Sequence, residues 1–396
     1  MKHLIVTCDE LPRPPLNGNN RKTHDVLMAL AGDYECHGLA YPKDDQDWES
    51  LVSYWRPYGV KWHRLSRHFK GRHWRSVSRR LNLPTVTRDF AGETRLIRNL
   101  LDRTEEARLV IDFISGAPLL PYIKQGVVLS GHDCMSRLFR EEAKCAENWR
   151  KGVHFRIREL FSRNAERQFA HLADRVHLIT QTDADEMSRI NPGVKPAVIP
   201  ISAETPPAHK LKLFSERKER VLWGNLGSPT ILSGVRGLFT ESKRKSSQVM
   251  RGFVLLGKVS EAEAHQLLPE LVTLGIRYQS KVDDLGVFLG NTRIVLLADV
   301  SGTGQKNRTL DALAHGCCVA GLAEVFRDIP NDRAAPAFVD TTNMAELVSE
   351  LEKLDSAEMA AIARRGQVMF QENFSFPVLK SRWSKLLESL PALRLA

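Results

Sequence analysis

The sequence has no Cys-x-x-Cys spacing. Its six cysteines are Cys8, Cys36, Cys134, Cys145, Cys317 and Cys318, several of them inside apolar runs. That argues against a disulfide framework or a thiolate metal site, and for buried thiols in a reducing compartment. No His, Cys or Asp cluster has metal-ligand spacing along the chain, so no metal is expected. The glycine fingerprint of dinucleotide-binding turns is missing, which argues against a nicotinamide cofactor; none is expected. No apolar run approaches the roughly 20 residues of a membrane span. The opening run Leu4-Ile5-Val6 meets Asp9 and Glu10 too soon for a signal peptide. Internal repeats and low-complexity segments are also absent. A soluble cytoplasmic protein is expected.

What the sequence has in excess is positive charge, +10 overall, and it is unevenly spread. Between Arg56 and Arg98 stand Arg56, Lys61, Arg64, Arg67, Lys70, Arg72, Arg75, Arg79, Arg80, Arg88, Arg95 and Arg98, against Asp89 and Glu93 alone. Trp55, Trp62, Phe69 and Trp74 are interleaved. Such a stretch suits a polyanionic partner such as phospholipid headgroups, and equally suits a solvated basic face. Nucleic acid is the weaker expectation, because no nucleic-acid-binding module is present. A peripheral position at the inner face of the cell membrane is therefore kept open.

At 396 residues the chain is long enough for two cores. Short apolar, β-branched runs alternate with helical periodicity in two successive sets, which predicts two Rossmann-like α/β domains. Pro200, Pro206 and Pro207, with clustered charge, mark a linker between Pro200 and Glu219. The expected domains are residues 1–203 and 204–375, followed by a terminal helical segment, 376–396.

The most informative stretch runs from Arg293 to Gly321. Ile294 to Leu297 reads as a buried strand. Ser301-Gly302-Thr303-Gly304 reads as a turn, and Leu310, Leu313, Ala314 and Cys317 fall on one helix face. Gly316 is a plausible helix stop, and Cys317 to Ala320 the next strand. A glycine turn feeding a helix N-terminus offers backbone N–H groups and partial positive charge to a phosphate. Lys306 and Arg308 sit in the first turn, where the macrodipole disfavours cations unless an anion is bound. Asp311, one turn beyond Asn307, suits a ribose. An ordinary βαβ unit with a tight turn accounts for the same pattern.

The amino-terminal end repeats the theme. After the strand Leu4-Ile5-Val6 comes Asp9 to Arg21, rich in proline and asparagine and containing Gly18 and Asn19; a helix is expected from Lys22. Further on, Ser130-Gly131-His132-Asp133 follows the strand Val127 to Leu129 directly. Open α/β sheets place ligands at strand carboxyl ends. His132 there suits a ligand hydrogen bond or a proton transfer, and Asp133 suits substrate contact or a helix cap. Gly224 and Asn225 open a loop after the strand Arg220 to Trp223. Glu166, Lys258 and Glu324 are weaker candidates, since exposed charges usually serve solubility.

The block Gly302-Thr303-Gly304-Gln305-Lys306-Asn307-Arg308, continued through Asp311 to Gly316, resembles the donor-binding segment of GT-B glycosyltransferases, closest to family-four-like bacterial sugar transferases. The loop at Gly18-Asn19 and the helix segment Arg163-x-x-Glu166-Arg167 resemble parts of the same family. The resemblance implies a GT-B architecture, with two Rossmann-like domains facing across a cleft and a C-terminal helix crossing back to the N-terminal domain. It implies retaining, metal-independent transfer of a sugar from a nucleotide-sugar donor to a glycan or lipid-linked acceptor. On that reading His132 and Lys306 are the catalytic candidates. Gly224, Asn225, Gly302, Gly304, Lys306, Asn307, Arg308 and Asp311 hold the donor; Gly18, Asn19 and Asp133 line the acceptor and phosphate side. Thr303 stands where many relatives carry a glutamate, and Asn19 replaces a glycine. A non-catalytic nucleotide-sugar or surface-binding protein, or a sugar-nucleotide epimerase, would use the same scaffold.

Overall fold

The protein is described by a computed structural model covering residues 2–14, 18–66, 68–69, 88–104, 106–144, 146, 148–300, 304–332 and 334–396. The chain divides into two compact units, Met1–Ile201 with Phe376–Ala396, and Ser202–Ser375.

In the first unit the parallel strands are β1 (His3–Cys8), β2 (Glu35–Ala40), β3 (Lys61–Arg64), β4 (Ala107–Asp112), β5 (Val127–Ser130), β6 (Arg175–Leu178) and β7 (Ala197–Val198). Their spatial order is β7-β6-β5-β4-β1-β2-β3. The helices between them are α1 (Gly18–Leu30), α2 (Asp45–Trp55), α3 (Ala91–Leu101), α4 (Met135–Lys144), α5 (Trp149–Phe169) and α6 (Gln181–Ile190). Alternation along β1 explains the layering. Leu4, Val6 and Cys8 face one core with Val26, Leu27 and Leu30 of α1, while Ile5 faces the other with Ile97 of α3 and Met187 of α6. A sheet buried on both faces needs the near-continuous apolar strands seen here.

The second unit contains β8 (Glu219–Trp223), β9 (Phe253–Leu256), β10 (Arg277–Gln279), β11 (Thr292–Leu297), β12 (Cys318–Leu322) and β13 (Val339–Thr341), ordered β10-β9-β8-β11-β12-β13 and all parallel. Its main helices are α7 (Pro229–Arg244), α8 (Asn307–Ala314), α9 (Met344–Lys353) and α10 (Ser356–Phe374). Both sheets share the doubly wound order in which the third, second and first strands of a set are followed by the fourth. The chain reverses direction between the first and fourth strands, so each sheet opens a crevice there.

The last helix, α11 (Phe376–Glu388), belongs to the first unit. Its Trp383 is 1% exposed and packs edge-on against His177, and Arg108 Nε donates to the Leu387 carbonyl at 3.3 Å. Residues Arg394–Leu395 then pair antiparallel with Ile123–Gln125. The expected return of the C-terminal helix to the N-terminal domain is what the structure shows.

Three local expectations shift. Helix α1 begins at Gly18 rather than Lys22. The first turn has no intrahelical N–H partners to lose, so glycine and asparagine are tolerated there. Ser115-Gly116-Ala117-Pro118, a Gly- and Pro-bearing stretch that in sequence reads as a turn, lies inside a 3-10 helix, Ile114–Tyr122. Trp55, counted with the basic stretch, is fully buried and donates to the Pro12 carbonyl at 2.7 Å. Its indole is core, as its size favours. Much of that stretch, including Arg67, Lys70, Arg72, Trp74, Arg75, Arg79 and Arg80, lies outside the described residues.

Candidate functional site

In the first unit the crevice lies between the carboxyl ends of β1 and β4, and a buried charge cluster fills it. Lys22, from the first turns of α1, places Nζ 2.8 Å from Asp112 Oδ1 and donates to the Ser130 carbonyl at 2.8 Å. The adjacent Thr23 donates to Asp112 Oδ2 at 2.7 Å, and the Asp112 N–H donates to Thr7 Oγ1 at 3.1 Å. His132, 5% exposed, stacks on Phe113 at 4.0 Å and holds Nε2 3.7 Å from Asp112 Oδ1. Phe113 adopts φ +63°, a conformation that bulky residues avoid. That strained backbone sits directly after β4, beneath the His132 ring, and such outliers cluster at functional sites.

The electrostatics follow from burial. Burial alone would raise the Asp112 pKa, but the Lys22 charge and the neighbouring His132 outweigh it and hold the carboxyl at about 2. Burial lowers Lys22, opposed by Asp112 and, more weakly, by Asp133. His177, behind Ser130, is driven down to about 3 by burial and by the Lys22 charge. It therefore stays neutral, in hydrogen bonds with Ser130 Oγ and the Ile199 carbonyl, each 2.8 Å long. Next to the cluster a small pocket is lined by Thr7, Asp9, Tyr41, Glu93, Asp112 and Ser115. Its carboxylates and hydroxyls are the groups that bind sugar hydroxyls. Ser115 Oγ donates to Asp9 Oδ2 at 2.8 Å, and the Tyr41 hydroxyl donates to Glu93.

In the second unit the crevice lies between the ends of β8 and β11. Arg308, in the first turn of α8, reaches across it. One guanidinium nitrogen donates to Asp299 Oδ1 at 2.7 Å and the other to the Trp223 carbonyl. Gly224 follows that carbonyl. A Cβ there would lie 2.5 Å from Ile231 Cγ2, so the loop passes α7 only as glycine. Asn225 closes the turn by accepting from the Gly227 N–H at 3.1 Å. Gly304 has φ +66° and is buried, which accounts for glycine just before the helix. Lys306 occupies the cap position of α8 and Asn307 its first turn, both half-buried. Asp311, also half-buried, lies one turn further; its carbonyl is 2.7 Å from His315 Nδ1.

The opposite end of α8 is fixed equally well. Gly316 adopts φ +61°, and the N–H groups of Gly316 and Cys317 return to the carbonyls of Leu313 and Ala312. This is the glycine-terminated cap expected from the sequence. The buried guanidinium of Arg217 donates to the carbonyls of Thr292, His315 and Gly316 at 3.2, 3.0 and 2.6 Å. A cation at the helix C-terminus complements the macrodipole. Helix α8 is thus held at its far end, with its N-terminus facing the crevice.

Of the expected residues, the structure brings His132 and Asp133 to the Lys22–Asp112 pair, and Gly18 and Asn19 to the start of the helix that carries Lys22. It brings Gly224, Gly304, Lys306, Asn307 and Arg308 to the second crevice. Gly302 and Thr303 lie outside the described residues. Glu166 serves the fold instead, since its buried Oε1 accepts from the Ser136 N–H at 3.1 Å and so caps α4. Sequence reading missed Lys22, Asp112 and Asp299. The available signal was an acid within two residues of the end of a buried apolar strand, which is where open sheets expose ligand contacts.

No protein-family model matches the sequence, and no curated protein sequence does. Solved structures match it over nearly its whole length. Sucrose-phosphate synthase from Thermosynechococcus elongatus aligns with TM-score 0.68 and 12% identity, covering 98% of each chain. Anabaena Alr3699/HepE in complex with UDP and glucose aligns with TM-score 0.62 and 11% identity, over 98% of this chain and all of that one. The E. coli trehalose-6-phosphate structure with UDP-2-fluoro glucose gives 0.63 and 12%, over 99% and 100%. The chain has the GT-B fold. At such identities the GT-B likeness extends to architecture, and both crevices described above lie at its strand ends.

Proposed function

We propose that this GT-B protein is a glycosyltransferase that moves a sugar from a nucleotide-sugar donor to a glycan or lipid-linked acceptor. The observation that carries the reading is the α8 N-terminus. It is preceded by Gly304 at φ +66° and set at the crevice of the second sheet, in a fold whose solved members include complexes with UDP and UDP-glucose. The backbone N–H groups of that terminus, with Lys306, hold the donor diphosphate. Asp311 binds the ribose. Gly224, Asn225, Gly304 and Asn307 shape the donor loop. Arg308 acts as a positioning residue: through Asp299 and the Trp223 carbonyl it ties α8 to the loop containing Gly224. The acceptor side is the Lys22–Asp112–His132 cluster with Asp133 and the pocket at Asp9 and Glu93.

In the reaction the acceptor hydroxyl oxygen forms a bond to the anomeric carbon as that carbon's bond to the diphosphate oxygen breaks. The hydroxyl proton leaves to the departing diphosphate, with His132 as the alternative carrier. Lys306 and the helix terminus take up the developing negative charge, so transfer proceeds without a metal. Retention of anomeric configuration fits attack from the leaving-group face.

Helix α5 supplies the surface for a membrane-borne acceptor. Trp149, Val153 and Leu160 are 73%, 50% and 66% exposed and share one face with Arg156. The helix carries Arg150, Lys151, Arg156, Arg158, Arg163 and Arg167, and its only carboxylates, Glu159 and Glu166, are buried. An aromatic and aliphatic stripe amid cations suits an anionic lipid interface.

The test is a thermal-shift panel of UDP, GDP, dTDP, ADP and CDP, with and without magnesium, followed by mass spectrometry of products from the matching nucleotide sugars. A magnesium-independent shift for one nucleotide, reduced in Asp311→Ala, together with sugar transfer to an acceptor, is the expected result. A nucleotide shift without turnover would replace the enzyme with a binding protein. Release of an epimerised sugar would replace transfer with epimerisation.

A further inference from the structure

At the amino ends of the first sheet, opposite the crevice, three histidines and a glutamate converge. Parallel register sets His3 beside Glu35 and Ile5 beside His37 on neighbouring strands. Residues two apart on a strand point to the same face. So His3 of β1 and Glu35 and His37 of β2 share one face, and His63 joins them from β3, where it pairs in register with Leu39. His3 Nδ1 lies 3.3 Å from His37 Nε2, and Glu35 Oε1 lies 3.4 Å from His37 Nε2 and 3.9 Å from His3 Nδ1. Behind them His37 Nδ1 is 3.1 Å from His63 Nε2.

These spacings are those of a coordination shell. Zinc bonds of about 2.0–2.2 Å to nitrogen and oxygen place tetrahedral ligands roughly 3.3–3.5 Å apart. Two of the three separations meet that figure, and a small side-chain rotation closes the third. The chemistry of the set agrees: two imidazoles and a carboxylate suit zinc, and the His37–His63 contact is the outer hydrogen bond that fixes a ligating imidazole's tautomer. The position already attracts a cation. The Lys61 ammonium rests on Glu35 Oε1, at the end of a side chain that is 59% exposed and free to withdraw, whereas His3, His37 and Glu35 are 15%, 7% and 22% exposed.

We propose that His3, Glu35 and His37 form a zinc-binding site that staples β1 to β2, with His63 as the outer partner of His37 and water in the fourth position. Its place toward the strand amino ends sets it apart from the crevice at their carboxyl ends. It is independent of the function proposed above. Along the sequence it is invisible, because residues 3, 35, 37 and 63 meet only through strand register.

The experiment uses the tag-free full chain, stripped with chelator and dialysed against Zn²⁺ alone, with metal counted by elemental analysis. One zinc per chain is expected. Glu35→Gln and His3→Gln, both at partly exposed positions, lose it. His63→Leu weakens binding by about 10–100-fold, the usual effect of removing an outer partner. Lys61→Met tightens it, because the competing ammonium is gone. Cobalt in place of zinc gives visible bands of a tetrahedral nitrogen and oxygen site without the strong near-ultraviolet bands of thiolate. No bound zinc, equal binding in wild type and folded Glu35→Gln, or a thiolate spectrum from the buried cysteines would each overturn the assignment.

Discussion

Lys22 and Asp112 are 3% exposed each, so neither can be removed alone without leaving the other's charge stranded in an apolar surround. Lys22→Met or Asp112→Asn should each cost about 3–5 kcal/mol in urea unfolding, the usual cost of breaking a buried pair. Lys22→Met combined with Asp112→Leu should recover most of that loss while leaving sugar transfer abolished, which separates stability from function. If the double variant is no more stable than the singles, the pair is not a closed electrostatic unit. The acid limb gives a second readout. The folded Asp112 pKa, about 2, lies below the unfolded value near 3.9. Its contribution is therefore complete above pH 4 and is lost as pH falls toward 2, an amount of about 2 kcal/mol. Stability measured from pH 5 to pH 2 should fall in wild type, and by that much less in Asp112→Asn.

Helix α4 depends on a carboxyl group from another element, and its pH response should have the opposite sign. Burial pushes Glu166 up to about 7, against the hydrogen bonds that it accepts at the start of α4. A carboxyl whose folded pKa exceeds its unfolded value of about 4.3 keeps a proton that the unfolded chain releases. The folded state is favoured most below pH 4, and that advantage drains away as pH rises to 7, by roughly 3–4 kcal/mol. Glu166→Gln keeps an oxygen for the Ser136 N–H and cannot ionise. Its stability should be nearly flat from pH 4.5 to 7 where wild type declines; identical slopes would mean that Glu166 is ionised in the folded protein. Helix α5 carries the other test at this scale. Trp149→Glu with Leu160→Glu should release the protein from anionic vesicles, and undiminished binding would remove α5 as the lipid face.

The same elements show where the sequence was readable. Helix α8 was legible because the signals that start and stop it are local: the apolar run of β11, Gly304 before it, the 3.6-residue stripe from Leu310, and Gly316 after it; its distant ties to Arg217 and Trp223 were not. The crevice cluster was not, because Lys22, Asp112, Ser130 and His132 span three segments that meet only when the strands take their order. In sequence Lys22 looks like any cation on a helix, and Asp112 like the polar end of a strand. Arg308 was legible as a residue of the first turn of α8, but its partner Asp299 was not. The order of strands, rather than the strands themselves, carries that information.

At the scale of the whole molecule, each unit has its own core, but only the second is continuous in sequence. The first unit is completed by residues 376–396. Trp383 and Leu387 enter its core beside Leu27 and Val128, and Arg394–Leu395 extend an edge at Ile123–Gln125. Two consequences follow for unfolding. A nucleotide at a hundred times its dissociation constant stabilises its binding unit by about 2.7 kcal/mol, which is roughly 5–10 °C for a unit of this size. In calorimetry UDP, or whichever nucleotide the panel selects, should raise the transition of the second unit and leave that of the first in place. Truncation after Ser375 should do the reverse. It removes two nearly sealed large side chains and a strand pair, at about 3–5 kcal/mol for an aromatic side chain like Trp383 and 2–5 kcal/mol for a leucine like Leu387. That approaches the whole stability of a domain. The truncated chain should therefore lose the lower-numbered unit to protease while residues 202–375 survive as a folded fragment that still responds to nucleotide. If the truncation leaves the first unit protected, the returning helix is an ornament on a core already complete. If both units collapse together, the two cores fold as one cooperative body.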